Sequence, residues 1–236
     1  MAGRGSRFAD RGFEVPKPLI EVGGKPMFAW ALQSLEGLPI SKLIVVALQE
    51  HEKQFGLSAL FRQHCPITMP LEFVFLPDVT EGQLCTVLEA SEYFVENESL
   101  IIAASDSLVI GHLADDIARY SGKTAGLISV ADLPGDRWSF ARTDITGKVV
   151  EVAEKVRISD HASTGIYFFN HCGQFLDFAQ QILQKQEKTK GEYYVIPVYQ
   201  KMIEAGLWIG LSQASEMWDM GTPEAKATFE KHLEQR

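Results

Sequence analysis

Cysteine is scarce in this chain, and long apolar runs are missing. Three cysteines, Cys65, Cys85 and Cys172, are spread over 236 residues without the close spacing of a metal-binding pair. This usage predicts buried free thiols in a reducing compartment. No apolar run approaches the roughly 20 residues of a membrane span, and the first residues lack a signal-peptide core. These absences predict a soluble, cytoplasmic protein that does not enter a membrane.

Positive charge is also scarce. The chain has 22 Lys and Arg against 31 Asp and Glu, a formal net charge of −9. This excess excludes broad electrostatic attraction to nucleic acid or to anionic lipid, so an anionic ligand would need a few local cations. The six histidines have no metal-ligand spacing. Repeats and low-complexity linkers are lacking too, which argues against solenoid folds and flexible multidomain chains.

The composition present, 46% hydrophobic and 22% charged residues, is typical of one globular domain with a sizeable core. Apolar runs alternate with helical patterns, which predicts an α/β fold whose largely parallel sheet is flanked by helices. A turn at residues 144–147 predicts one antiparallel hairpin, and hence a mixed sheet. The predicted helices cover residues 27–36, 50–64, 83–95, 174–185, 196–205 and 223–235. The predicted strands cover residues 42–48, 71–76, 100–104, 124–130, 138–143, 148–153, 163–169 and 208–211.

The start of the chain combines glycines with cations. Gly3 and Gly5 would let backbone N–H groups approach a ligand closely, and Arg7 and Lys17 would supply positive charge for a polyphosphate. A Walker loop would end in Gly-Lys-Ser/Thr, and a dinucleotide fingerprint would have a third glycine where Phe8 stands. The pattern therefore predicts a phosphate-binding loop of another kind.

Two aspartates follow apolar segments. The predicted strand 100–104 is followed by Ser105 and Asp106, and Asp219 lies in the segment Trp-Asp-Met-Gly-Thr-Pro before the last predicted helix. Ligands of open α/β sheets bind beyond the carboxyl ends of the strands, and carboxylates suit a hard divalent cation. Each residue also has a structural interpretation, Asp219 as a helix cap or turn residue and Asp106 as a strand end. Together with the glycine loop, they predict a cation site.

Two further features have both a structural and a functional interpretation. Glu154 and Lys155 follow the predicted strand 148–153, where such a pair taken alone is typical of a solvated edge, and a ligand-binding role comes only from the resemblance described next. Gly165 lies inside the predicted strand 163–169, where a glycine is typical of a bulge, but could also allow close approach of a ligand.

These elements occur in the order seen in bacterial sugar-1-phosphate nucleotidyltransferases, which the chain resembles over nearly its whole length. The resemblance is carried by residues 1–27, the strand before Asp106, the pair Glu154-Lys155, and residues 163–167, 191–194, 197 and 218–223. It implies a single domain with the Rossmann-like nucleotidyltransferase fold and a central mixed, mostly parallel sheet. Where the family has Glu-Lys-Pro, this chain has Glu154, Lys155 and Val156. The family's apolar strand before the glycine loop is absent, so we expect the natural polypeptide to start upstream of Met1.

The resemblance also implies a reaction. An oxygen of a sugar-1-phosphate would attack the α-phosphorus of a nucleoside triphosphate and release pyrophosphate. The product would serve the synthesis of surface polysaccharide. The resemblance is compatible with a homo-oligomeric enzyme. The implied nucleotide-binding residues are Ala2, Gly3, Gly5, Ser6, Gly82 and Ser105. The implied catalytic residues are Arg7, Lys17 and Lys155. Glu154, Lys155 and Gly165 would bind the sugar phosphate. Asp106 and Asp219 would hold Mg²⁺.

Two other functions remain open at this point. A GT-A-type glycosyltransferase also binds a nucleotide diphosphate and a metal on such a sheet, but it needs Asp-x-Asp, and residues 105–107 lack the second acid. A non-catalytic nucleotide-binding regulatory domain is the other alternative. Retention of Arg7, Lys17, Asp106, Lys155 and Asp219 argues against it, and magnesium-dependent pyrophosphate release would distinguish the three.

Overall fold

The computed structural model describes residues 1–3, 5–65 and 69–235, apart from the side chain of Ser6. The α-helices are α1 Ser6–Ala9, α2 Met27–Gln33, α3 Gln49–Phe55, α4 Leu57–His64, α5 Gln83–Leu88, α6 Leu113–Arg119, α7 Cys172–Gln184, α8 Ile196–Glu204 and α9 Pro223–Leu233. The strands are β1 Glu21–Val22, β2 Lys25–Pro26, β3 Leu43–Leu48, β4 Leu71–Leu76, β5 Leu100–Ala103, β6 Ser107–Gly111, β7 Gly126–Ala131, β8 Ser139–Thr143, β9 Val149–Glu154, β10 Ala162–Phe169 and β11 Ile209–Asp219. Within these residues, no helix is long and apolar enough to cross a membrane.

The chain forms two compact units, each made of separate stretches of sequence. Unit 1 consists of Met1–Thr80, Ala104–Ile110 and Glu216–Arg236. Unit 2 consists of Glu81–Ala103 and Gly111–Ser215. Both the glycine loop and the two aspartates predicted to bind a cation therefore belong to unit 1, whereas Glu154, Lys155 and Gly165 belong to unit 2.

Unit 1 contains a parallel pair of strands and a small apolar core. β3 and β4 pair in register from Leu43 opposite Leu71 to Leu48 opposite Leu76. α3 and α4 connect these strands, as parallel pairing requires a crossover. The core of this unit packs the glycine-loop segment against the C-terminal segment through apolar side chains, namely Phe8, Ile20, Val22, Met27, Leu108, Met220 and Phe229. This packing brings two distant parts of the sequence to the candidate site.

Unit 2 contains most of a mixed sheet. The strand order is β11-β7-β10-β8-β9, and β5 also pairs with β10. β11 runs parallel to β7, whereas β10 is antiparallel to β5, β7 and β8. Every residue of β7 is buried, as expected for a strand covered on both faces. The ring of Tyr199 on α8 stacks on Phe169 at 4.5 Å, and its hydroxyl lies 2.9 Å from two backbone carbonyl oxygens of the sheet.

The α/β class, the mixed sheet and the hairpin are confirmed. β8 and β9 form the predicted antiparallel pair around the turn at residues 144–147. The helix predicted over 50–64 is wrong in one respect, because α3 and α4 are separate helices. Gly56 divides them with a φ of +60°, a left-handed conformation that ends a helix. Of the three free cysteines, only Cys172 is buried, and the other two are half-buried.

Other elements differ from the prediction in length or were not predicted. The strand predicted over 208–211 extends through polar residues to Asp219 as β11. The helix predicted over 83–95 ends at Leu88 and is followed by a short 3-10 turn, Ser91–Tyr93. β6 and α6 have no counterpart in the sequence prediction. β6 matters most for the site, because it begins directly after Asp106.

Candidate active site

The glycine loop in unit 1 contains two glycines that differ in backbone conformation and in the space around them. Gly5 has a φ of +60°, and a β-carbon there would lie 3.1 Å from the β-carbon of Lys17. A β-carbon on Gly3 would have no described heavy atom within 4 Å. The chain itself therefore requires glycine at Gly5, whereas Gly3 borders open space into which a ligand could fit. The neighbouring Ala2 is buried against Leu48 and Leu76.

Arg7 follows the two glycines and lies on α1. This helix begins at Ser6, whose side chain lies outside the described part of the structure. The Arg7 side chain is exposed and lines an open cavity together with Arg11 and Glu224. Arg11 forms an ion pair with Glu224 at 2.7 Å, whereas Arg7 forms none within the described ranges. Arg7 thus offers a guanidinium group to an anionic ligand.

Asp106, Asp219 and Lys17 converge on Gly221. A β-carbon on Gly221 would lie 2.9 Å from Asp219 Oδ1, 3.0 Å from Asp106 Oδ2 and 3.6 Å from Lys17 Nζ. The ammonium group of Lys17 donates to Asp106 Oδ2, and both side chains are about a quarter exposed, at 24%. Two carboxylates and one ammonium group therefore surround a space that only glycine leaves open.

The backbone holds this cluster in place. Asp106 lies in the bend before β6, next to the half-buried Ser105, and its carbonyl oxygen accepts a hydrogen bond from the Met220 N–H at 2.8 Å. The Gly221 N–H donates to Asp219 Oδ1 at 3.0 Å. Lys17 begins a 3-10 turn whose next residue is the buried Pro18. Because three separate segments are fixed in this way, the cluster is preorganised.

The donor set fits a magnesium ion shared with a phosphate ligand. Mg²⁺ prefers oxygen ligands and is usually held by one or two carboxylates together with substrate phosphates. The carboxylates of Asp106 and Asp219 are such ligands, and with the ammonium group of Lys17 the cluster has a net charge of −1, which attracts a cation. Within the described residues, no group of three or more His, Cys, Asp and Glu side chains could hold a metal ion.

Glu154 in unit 2 is a buried carboxyl group at the end of β9. Its side chain accepts a hydrogen bond from Ser139 Oγ, and the residue is only 9% exposed. Burial raises the pKa of Glu154, although the Ser139 hydrogen bond and the charge of Lys155 act in the opposite direction. Such a carboxylate is poised to accept hydrogen bonds from ligand hydroxyl groups.

The raised pKa of Glu154 gives a prediction for stability. As pH rises above the ordinary value of 4.5, ionising the buried carboxyl costs the folded protein more than the unfolded chain, so the wild type loses stability. Glu154→Gln removes this loss and keeps an acceptor for Ser139. We therefore expect the free energy of unfolding of the variant, relative to wild type, to increase between about pH 4 and about pH 7. Urea unfolding across this range measures the difference, with Glu151→Gln as the control, because Glu151 lies on the same strand and is less buried than Glu154. A constant difference between Glu154→Gln and wild type would contradict the prediction.

Lys155 has an unusual backbone conformation. Its φ is +56°, a left-handed conformation that costs a non-glycine residue roughly 1 kcal/mol or more and that clusters at functional sites. Its N–H still donates to the Trp138 carbonyl oxygen at 2.8 Å, which extends the β8–β9 ladder by one bond. The ammonium group donates to the Tyr194 hydroxyl and lies 4.4 Å from the centre of that ring.

The backbone conformation at Gly82 and at Gly165 favours glycine without any ligand. Gly82 has a φ of +141°, and a β-carbon there would lie 2.4 Å from the Tyr193 carbonyl oxygen. Gly165 has a φ of +84° and lies at a bulge of β10, where the register with β7 shifts between Ser163 and Tyr167. The structural interpretation of Gly165 as a bulge glycine is therefore confirmed. The implied contacts of Gly82 with a base and of Gly165 with a sugar stay predictions.

A family model described as nucleotidyl transferase matches residues 1–236. The chain belongs to the nucleotidyl transferase family. The chain is also similar in structure to the nucleoside-diphosphate-sugar pyrophosphorylase of Vibrio cholerae RC9. The two superpose with a TM-score of 0.83 at 26% identity, and the match covers 98% of both chains. The predicted family and the nucleotidyltransferase fold are thereby confirmed.

Two curated relatives of the family are similar to this nucleotidyl transferase over its whole length. The bifunctional protein GlmU of Pelotomaculum thermopropionicum is 25% identical over 251 residues, which cover all of this chain and 51% of that protein. The UTP–glucose-1-phosphate uridylyltransferase AglF of Haloferax volcanii is 23% identical over 242 residues, covering 99% of this chain and 94% of the relative. The chain thus spans about half the length of the first relative and nearly all of the second.

The predicted site residues of this nucleotidyl transferase form two sets. In unit 1, Lys17, Asp106 and Asp219 meet at Gly221, Gly5 lies against Lys17, and Gly3 and Arg7 belong to the same unit without a described contact to this cluster. Glu154 and Lys155 belong to unit 2. Sequence reasoning gave no role to Ser139, Glu192, Tyr194 or Gly221. The structure places Ser139, Tyr194 and Gly221 beside predicted site residues, and Glu192 beside Tyr194. Residues 191–194 and 218–223 carried the resemblance, and this was the signal that could have directed attention to Tyr194 and Gly221.

Proposed function

We propose that this nucleotidyl transferase moves a nucleotidyl group from a nucleoside triphosphate to a sugar-1-phosphate and releases pyrophosphate. The observation that carries the proposal is the convergence of Asp106, Asp219 and Lys17 on Gly221, with the β-carbon of Lys17 packed on the glycine loop. Similarity to an NDP-sugar pyrophosphorylase and to a glucose-1-phosphate uridylyltransferase supports the substrate class. We further propose that the NDP-sugar serves polysaccharide synthesis and that the reaction takes place in the cytoplasm.

The residues of unit 1 would bind the triphosphate. The reaction crowds several negative charges together, so its catalysis depends mainly on positioning and on electrostatic stabilisation. Backbone N–H groups at Gly3 and Gly5 would approach the phosphates, with Ala2, Ser6 and Ser105 beside the nucleotide. Arg7 and Lys17 would offset charge on the α-phosphate and on the leaving pyrophosphate.

Asp106 and Asp219 would hold Mg²⁺ in this unit. When bound, the ion supplies charge neutralisation and orientation of the phosphate oxygens. The part played by the chain is to present two carboxylates on fixed backbone and to keep Lys17 within reach of both the phosphates and Asp106. Gly221 contributes by leaving the space between these groups open.

The residues of unit 2 would bind the acceptor. Glu154 would accept hydrogen bonds from sugar hydroxyl groups, and Gly165 would let the backbone approach the sugar. Lys155 would neutralise the attacking phosphate. A phosphate monoester is already an anionic nucleophile at neutral pH, so no general base is required of the chain, and no histidine has a role in this proposal.

A matrix of nucleoside triphosphates against sugar-1-phosphates, scored by pyrophosphate release with and without Mg²⁺, tests the proposal. We expect at least one pair to react in a magnesium-dependent manner, and the same pair to accumulate an NDP-sugar. UTP with glucose-1-phosphate is the starting pair, because a similar protein is named for it. If no pair reacted, or if pyrophosphate appeared without sugar phosphate, the proposed reaction would be wrong.

Gly221→Ala tests whether the open space in the cluster matters. The added β-carbon would meet Asp219 Oδ1 at 2.9 Å and Asp106 Oδ2 at 3.0 Å, so at least one carboxylate must move. Since Gly221 does not have a positive φ, alanine fits its backbone, and we expect little loss of folding stability. We expect kcat to fall about tenfold, as when an electrostatic group is misplaced rather than removed.

The Gly221→Ala experiment compares turnover and thermal midpoint with those of Gly111→Ala and wild type. Gly111 also lacks a positive φ, and a β-carbon there would lie 3.1 Å from the α-carbon of Ala214, so this variant controls for crowding by an added methyl group outside the cluster. Unchanged kcat in Gly221→Ala with both carboxylates intact would show that the space between them is not used.

A further inference from the structure

We propose that Tyr194 and Glu192 are positioning residues for Lys155, which they hold in the orientation needed to receive the phosphate of the acceptor. The inference rests on the proposed function, because it assigns a purpose to contacts around the proposed phosphate-binding lysine. It assigns roles to two side chains to which neither the sequence nor the resemblance gave one.

The three side chains form a directed series of hydrogen bonds. The Lys155 ammonium group donates to the Tyr194 hydroxyl, and that hydroxyl donates to Glu192 Oε2 at 2.5 Å. Because the tyrosine proton is engaged by Glu192, the hydroxyl oxygen presents its lone pairs to Lys155. The ring of Tyr194 adds a second contact, since the ammonium group lies 4.4 Å from its centre.

The turn that carries Tyr194 is itself fixed. Thr189 and Glu192 exchange two backbone hydrogen bonds of 3.0 and 3.1 Å, which closes the turn. Tyr193 is buried, and its N–H donates to the Glu81 carbonyl oxygen at 2.9 Å. Gly82 allows this close packing, because a β-carbon there would overlap the Tyr193 backbone. Tyr194 is therefore held by its neighbours and does not depend on Lys155 for its place.

The chemistry of this arrangement differs from that around Lys17. Lys17 is paired directly with the carboxylate of Asp106, which offsets much of its charge. Lys155 instead contacts a neutral hydroxyl, and the carboxylate of Glu192 is one bond further away. A lysine side chain has considerable rotamer entropy to lose on binding. A neutral contact restrains the side chain beforehand and leaves its positive charge available for a phosphate.

The backbone of Lys155 supports the same conclusion. A left-handed φ of +56° at a lysine needs a structure that maintains it. Here the Lys155 N–H is bonded to Trp138 at one end of the residue, and the ammonium group is bonded to Tyr194 at the other. Both ends of the residue are thus restrained, as expected for a side chain that must point in one direction.

Tyr194→Phe removes the hydroxyl and keeps the ring. The assay uses the substrate pair that reacts fastest in the matrix, and UTP with glucose-1-phosphate is tried first. We expect the KM for the sugar phosphate to rise about tenfold, as for loss of a hydrogen bond to a charged group. We expect kcat and the KM for the triphosphate to change less than about twofold, since the lost contact acts on the acceptor side only. Glu192→Gln should show the same pattern with a smaller effect.

A second measurement does not need catalysis. Trace acetic anhydride is reacted with wild type and each variant without substrates, and acetylation of Lys155 is followed by mass spectrometry. Loss of the hydroxyl releases the amino group from its hydrogen bond and exposes its nitrogen, the atom that attacks the anhydride, so we expect acetylation of Lys155 to become at least about threefold faster in Tyr194→Phe. Tyr120→Phe is the control, because its ring also lies beside cations, Arg119 and Lys123, in unit 2.

The outcomes separate this inference from the proposed function. Unchanged acetylation in Tyr194→Phe, or faster acetylation with an unchanged KM for sugar phosphate in both variants, would overturn the positioning role. A lower thermal midpoint of Tyr194→Phe, together with equal changes in KM and kcat, would also overturn the positioning role. This result would show that Tyr194 has a purely structural role. If the wild type released no pyrophosphate with any pair, the proposed function would fail, and acetylation would still decide whether Tyr194 restrains Lys155.

Discussion

Replacing Asp106 or Asp219 by asparagine is expected to lower turnover about 100-fold or more, equivalent to about 3 kcal/mol of transition-state stabilisation. Asparagine is nearly isosteric with aspartate, and at residue 219 it can still accept the Gly221 N–H bond of 3.0 Å. The substitution removes the negative charge that the proposed magnesium site requires. Loss of activity would thus report on charge and not on the backbone.

The measurement is the rate of pyrophosphate release at saturating triphosphate and at increasing Mg²⁺. Binding of Mn²⁺, followed by electron paramagnetic resonance in the presence of triphosphate, gives a readout that does not depend on turnover. Asp136→Asn is the control, since Asp136 is an exposed aspartate in unit 2. Near-normal rates of both variants at limiting Mg²⁺ would show that the two aspartates do not share an ion.

Arg7→Ala and Lys155→Ala are expected to affect different substrates. Arg7 is an exposed cation on α1, next to the glycine loop, so its loss should raise the KM for the triphosphate about 50-fold, whichever acceptor is used. Lys155→Ala should raise the KM for the sugar phosphate by about the same factor, because the loss of a charged contact costs roughly 1.5–3 kcal/mol. The charge that each variant removes faces a different substrate.

Matched controls exist for both variants. Arg11 neighbours Arg7 and is paired with Glu224, so Arg11→Ala tests for a general effect of losing surface charge there. Lys123 lies 4.8 Å from the centre of the Trp208 ring, so Lys123→Ala tests for loss of an ordinary cation–π contact in unit 2. If Lys155→Ala left the dependence on sugar phosphate unchanged, its proposed role would be wrong.

The convergence of Asp106 and Asp219 followed a rule that sequence can apply. Asp106 follows a predicted apolar strand, at whose carboxyl end ligand-binding residues gather, and Asp219 follows an apolar pair in a segment that carried the resemblance. Strand Leu71–Leu76 was predicted with correct bounds, because its apolar and aromatic residues and its flanking turns are local signals. Patterns of this kind depend on short stretches of chain, and these are what a single sequence reveals.

Features that depend on distant neighbours could not be predicted. Lys155 and Tyr194 are 39 residues apart, and nothing in either segment indicates that their side chains meet. β11 continues through Ser212 and Gln213 because β7 offers hydrogen-bonding partners there, although these residues lack the apolar pattern of a strand. Gly56 lay inside a helical pattern, and only the structure shows that it takes a left-handed φ.

The division of the two units along the chain has a consequence for biosynthesis. Unit 1 requires Met1–Thr80, Ala104–Ile110 and Glu216–Arg236, whereas unit 2 needs nothing beyond Ser215. During translation, the glycine loop therefore emerges long before the segment with Asp219, and its unit cannot be completed until that segment has left the ribosome. Contacts between such distant segments close long loops and form slowly. The nascent chain can therefore complete unit 2 first, while residues 1–80 still lack the contacts that Glu216–Arg236 supplies to their unit.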